Sequence, residues 1–114
     1  MEDHVLSIIV GSTGLAIWLT ALYFMKFPPK KINKIYGYRT KASRKSQAHW
    51  DFAQAYSSKV MKNCGLALII LACTLYFLKA QIPYQEVIGI GLVLLFCFIP
   101  VLVTESALRE KFPE

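Results

Sequence analysis

The sequence is poor in acid. Seven Asp and Glu stand against thirteen Lys and Arg in 114 residues, and between Lys26 and Lys62 the only acid is Asp51. Cysteine and histidine are nearly as scarce. Cys64, Cys73 and Cys97 all lie in apolar stretches, there is no CxxC, and the histidines are His4 and His49. Cys64 and Cys73 are nine residues apart, which puts them on opposite faces of a helix. They read as small apolar fillers, and neither a metal centre nor any other cofactor is expected. Formal charge is missing altogether from three stretches: 22 residues between Asp3 and Lys26, 16 between Lys62 and Lys79, and 18 between Glu86 and Glu105. Ionisable groups inside a membrane normally mark proton relays and ion pathways. Their absence argues against a pump or an ion-coupled transporter.

What remains in those stretches is overwhelmingly apolar, within a chain that is 55% hydrophobic. A bilayer core of about 30 Å takes about 20 helical residues at a rise of about 1.5 Å each. The first stretch meets that outright. The other two are a little short, but Lys62 and Lys79 can snorkel outward, and Val60, Met61 and Ile82 extend the second. The expectation is an all-α integral membrane protein, one domain over 1–114, with spans at about 5–25, 60–80 and 85–104. The chain starts acidic, at Glu2-Asp3, and its first apolar run is long. The first span is therefore expected to stay uncleaved and not to act as a secretory signal.

Ten of the thirteen basic residues fall in 26–62, a net +9 there against −3 elsewhere. Short loops rich in Lys and Arg stay in the cytoplasm. This places the N-terminus outside and the C-terminal tail inside, in a bacterial cytoplasmic (inner) membrane. Small residues at Ser7, Gly11, Gly14, Gly89 and Gly91 favour close helix packing, within one chain or in a homo-oligomer. Ser12, Thr13, Thr20, Thr74 and Thr104 can bond to their own helices, and Pro100 should bend the third helix.

The loop, about 26–59, divides in two. KFPPKKINKIYGYRT, with two prolines and a glycine, reads as turns. From Ser43, a plausible N-cap, the sequence has neither Gly nor Pro until the second span, and Trp50, Ala53, Ser57, Val60 and Cys64 recur at spacings of three and four. That is an amphipathic helix running into the second span. Trp50 and Tyr56 suit either interfacial anchoring or contact with a partner. Tyr36-Gly37-Tyr38-Arg39-Thr40 offers two amphipathic aromatics, a guanidinium and a hydroxyl just before a helix start, a setting that favours anions. Anionic lipid accounts for most of the lysines but not for this motif. An architectural role is open too, with Arg39 tied to helix-end carbonyls, Glu105 or Asp51. We expect Tyr36–Thr40, Ser43 and the Trp50/Gln54 face to form one site or structural knot, closed by Glu105.

Tyr36–Thr40, followed by Ser43, Ser46, Trp50, Ala53 and Gln54, resembles the signature of the SdpI family of bacterial membrane proteins. PPKKINKIYGYRT and the closing TESALREKF look like that family's small members. The resemblance runs from about Pro28 to Phe112, and this chain holds the signature module with three spans. It implies the family's fold and membrane location. It also implies a role like that of the family's namesake, an immunity protein against a secreted membrane-active toxin that doubles as a receptor for a transcriptional repressor.

Two function classes follow. One is a non-catalytic immunity or sensor protein that binds a toxin peptide or a cytoplasmic regulator. The other is a protein handling anionic lipid or peptide at the inner leaflet, by transport or catalysis, with Arg39 as phosphate clamp. Against catalysis, paired carboxylates and a convincing Ser/His/Asp set are lacking, and His49 and Asp51 point about 200° apart on a helix. Nucleic acid is not an expected partner.

Overall fold

The computed structural model describes residues 4–33, 35–79 and 81–113. Lys34, Ala80 at the expected end of the second span, the Glu2-Asp3 start and Glu114 lie outside them. Three helices run in order, α1 (Val5–Lys26), α2 (Gln47–Phe77) and α3 (Gln85–Lys111), with no strand among the described residues. Each is long and apolar enough to cross a membrane. Large side chains such as Ile8, Leu19, Ile70, Leu95 and Phe98 stand more than half exposed on the outer surface. In water such a belt is a liability; in hydrocarbon it is the ordinary outer face of a span.

Lipid tails are as apolar as leucine, so close packing rather than a hydrophobic drive must hold the helices together. The closest approach is α1 on α2. A Cβ built on Gly14 lies 2.9 Å from the carbonyl oxygen of Gly65, and one built on Gly65 lies 2.7 Å from the Trp18 backbone nitrogen. Backbone meets backbone there, which only glycine permits. Leu6, Val10, Leu68 and Ala72 fill the adjoining core, flanked by Leu92 and Phe96 of α3. The close packing expected of Gly11, Gly14 and Gly89 is made within one chain. Gly91 takes no part in it, since nothing lies within 4 Å of a Cβ there.

The amphipathic helix and the second span are one uninterrupted helix of 31 residues. At about 1.5 Å per residue that is about 46 Å, some 15 Å more than a bilayer core. The α2 start therefore stands beyond the apolar layer, and α3 accompanies it by continuing past Thr104 to Lys111. Helix α2 begins later than Ser43. Ser46 is its N-cap, with its hydroxyl accepting from the His49 N–H at 3.2 Å, while Ser43 lies in the turn before it. At the opposite end Gln85 of α3 performs a similar service for α1, its side-chain oxygen accepting from the Leu6 N–H at 3.0 Å. That N–H belongs to the first helical turn and has no partner within its own helix.

Ser12, Thr20 and Thr74 donate to carbonyls four residues back, as expected. Thr104 does not: it is wholly buried and its hydroxyl has no partner.

Candidate functional site

The basic loop folds back over the protruding start of α2 and is held there by side chains from both α2 and α3. Trp50 comes first. Its indole is 0% exposed and donates to the Pro29 carbonyl at 2.7 Å, so it fastens the loop where it leaves α1. Neither the interfacial anchor nor the open partner contact expected of Trp50 is what this geometry provides. A buried indole N–H needs an acceptor, and the proline carbonyl is its acceptor here. One turn earlier in α2, Gln47 donates to the Lys30 carbonyl at 2.6 Å and to Asp51 at 2.8 Å.

The Asn33 side chain then turns the chain, accepting from the N–H groups of Ile35 and Tyr36 at 2.9 Å each. Gly37 follows with φ +95°, a conformation L residues rarely adopt, and its open Cα lies against Pro29 and Gln54. That turn delivers Tyr38 to Gln54. The Tyr38 N–H donates to Gln54 Oε1 at 2.8 Å, and Gln54 Nε2 donates back to the Tyr38 carbonyl at 2.6 Å. A buried amide of this kind satisfies both backbone groups of one residue, much as a neighbouring strand does.

The tyrosine ring reaches across to α3. Its hydroxyl donates to Glu105 Oε2 at 2.8 Å, and the Thr40 hydroxyl donates to the same oxygen at 2.8 Å. Hydrogen bonds to a carboxylate are about twice as strong as neutral ones. Burial of the phenol first, and the Glu105 carboxylate second, push the Tyr38 hydroxyl well above the ordinary tyrosine value of 10.0. Ser43, wholly buried, donates to the Thr40 carbonyl at 2.8 Å and closes the turn.

Of the nine candidate residues, the structure gathers Gly37, Tyr38, Thr40, Ser43, Gln54 and Glu105 into one network. Trp50 belongs to the same layer through Pro29. Tyr36 and Arg39 are exposed on its surface. Tyr36 stacks on Phe24 of α1, with ring centroids 6.4 Å apart. Sequence reasoning missed three contributors: Pro29, Asn33 and Gln47. Asn33 carried a readable signal, since an asparagine shortly before a glycine commonly organises a turn.

Two cavities flank the network. One, of about 310 Å³, lies between the end of α1, the Pro28–Lys30 segment and α2. The other, of about 450 Å³, lies between Ala42, His49 and the end of α3, where His49 stacks on Phe112 at 4.1 Å. No cluster of three or more His, Cys, Asp or Glu suited to a metal ion occurs among the described residues.

Comparison with known proteins agrees on one family. The model of the SdpI/YfhL protein family matches residues 30–104, which contain the loop from Lys30 onward and all of its network but Pro29 and Glu105. The uncharacterized protein YfhL of Bacillus subtilis (strain 168) is 32% identical over 104 residues, covering 87% of this chain and 86% of that protein. No solved structure matches.

Proposed function

The chain belongs to the SdpI/YfhL protein family, and from that premise we propose that it is a non-catalytic bacterial membrane protein of the immunity or sensor type, with its basic loop in the cytoplasm. Its partner is a membrane-active peptide toxin or a cytoplasmic regulator, met by the exposed surface of the Tyr36–Thr40 loop. The observation that carries this reading is the hydrogen bonding of that loop to α2 and α3. A 20-residue connection between two spans would ordinarily be loose, yet here Trp50 and Gln54 bond to its backbone and Glu105 accepts from its Tyr38 and Thr40 hydroxyls. Pre-ordering of a recognition surface removes part of the entropy cost of binding. Tyr36, Arg39, Lys41 and Arg44 are all exposed on that loop. Glu105, the one acid in the network, is occupied by two hydroxyl donors, which suits a structural carboxylate better than a general base.

The test is survival of a toxin-sensitive bacterium expressing the chain, challenged with membrane-active peptide toxins. Wild type and Arg39→Ala are compared at matched membrane abundance and matched melting temperature in detergent. Protection by the wild type that is lost in the variant is the expected result. If neither protects, the immunity role is wrong; capture of a soluble bacterial regulator by the loop then remains as the sensor form of the proposal.

A further inference from the structure

The groove between α1 and α2 lies where α1 ends and the basic loop begins. Its α1 wall is Phe24 and Met25, directly before Lys26 ends that helix, and Pro28 continues the wall into the loop. Its α2 wall includes Asp51, Ala55 and Lys59, of which Lys59 lies one turn before the uncharged run that begins at Asn63. The groove therefore straddles the border between the apolar spans and the polar layer. Lys30 and Lys59 share it, both exposed, and no carboxylate pairs with either ammonium among the described residues. Asp51 is the groove's single acid, and the Gln47 amide holds it. Two ammonium groups and one carboxylate leave a net charge of +1. The floor is firm, because Gln54 is locked to Tyr38 and the Ser58 hydroxyl donates to the Ala55 carbonyl.

We propose that this groove binds one anionic phospholipid of the inner leaflet, with its phosphate between Lys30 and Lys59 and the start of an acyl chain along Phe24, Met25 and Pro28. Charge and the apolar wall select the occupant together. The net +1 matches a singly charged phosphodiester, and the apolar α1 wall continues directly into the lipid-facing surface of the span. A soluble phosphate would use the lysines and leave that wall bare. The site is separate from the loop surface assigned to a peptide partner, and it stands whether or not that assignment holds. An anionic lipid seated here also anchors the Pro28–Lys30 stem that Trp50 and Gln47 hold by its carbonyls.

The experiment is native mass spectrometry of the full chain released from nanodiscs of phosphatidylglycerol, phosphatidylethanolamine or phosphatidylcholine. One retained phosphatidylglycerol is expected, with at least tenfold less retention of phosphatidylcholine. Lys30→Gln/Lys59→Gln should cut that retention roughly tenfold or more, the size expected from removing two interfacial lysines. Lys31→Gln/Lys41→Gln changes net charge equally outside the groove and should leave retention unchanged. Equal losses in both pairs would mean diffuse attraction and overturn the site. Ala55→Trp keeps every charge but fills the groove, and it should expel the lipid; unchanged retention with an unchanged melting temperature also overturns it. Glycerol 3-phosphate is the soluble arm. If it protects Lys30 and Lys59 from amine labelling as well as a short-chain phosphatidylglycerol does, the ligand is a free phosphate and the lipid proposal fails.

Discussion

At Gly37 the backbone has φ +95°, and a Cβ there would lie 2.6 Å from Pro29 Cγ and 2.8 Å from Gln54 Oε1. Both the conformation and the space exclude a side chain. Gly37→Ala should therefore destabilise the folded chain by about 2 kcal/mol or more, combining left-handed strain with displacement of Gln54. Thermal melting in detergent measures this, with Gly91→Ala as the control. Gly91 has open space around it and should gain slightly from helix propensity. Tyr38 gives a prediction of a different kind. Its hydroxyl holds its proton more tightly in the folded chain than in the unfolded one, where it ionises near pH 10. The stabilisation it adds is complete below that pH and is lost as pH rises beyond it, because only the unfolded chain then gains by ionising. Stability should fall more steeply above pH 10 in the wild type than in Tyr38→Phe, whose other tyrosines are the same. Parallel curves would contradict the link to Glu105 and burial.

Among the elements, α2 does the most positioning: one helix spans the apolar layer, carries Trp50 and Gln54 beyond it, and meets α1 through Gly65. A Cβ at Gly65 would press on the α1 backbone at both Trp18 and Gly14. Backbone cannot swing aside as a side-chain tip can, so the helices must part. Gly65→Ala should cost roughly 1–3 kcal/mol, the usual range for overpacking, read as a lower melting temperature. The three spans were legible because charge stops abruptly at Lys26, Lys62, Lys79, Glu86 and Glu105. Gly65 was not, because a lone glycine in an apolar run has no partner in sequence; its partner, Gly14, is supplied only by the helix crossing. The cap was misplaced at Ser43 for a related reason. Ser43 and Ser46 are equally good capping residues on composition, and the buried turn that takes up Ser43 depends on Thr40 and Tyr38. The gathering of Tyr38, Gln54 and Glu105 was legible as a neighbourhood, since all three fall at one end of the spans. Which atoms pair was not legible, because it depends on the Gly37 turn.

For the whole molecule, the network and the basic charge lie at the same end, and this bears on orientation. The loop arrives with a net +9 over 26–62, and translocating it would mean carrying ten bases across the membrane against the usual bias of loop charge. Folding adds a second reason: α2 and α3 both extend past the apolar layer at that end, and Glu105 joins them to the loop. The three parts must share a compartment before Tyr38 and Thr40 can reach one carboxylate. Three spans then put the C-terminus on the loop side and the N-terminus opposite. A fluorescent protein that matures only in the cytoplasm, fused after Glu114, should fluoresce, and alkaline phosphatase fused there should be inactive. The same reporters placed in the short α2–α3 turn should give the opposite pair. Phosphatase activity behind Glu114 would invert the protein, place the basic loop outside, and remove the cytoplasmic regulator and the inner-leaflet lipid together.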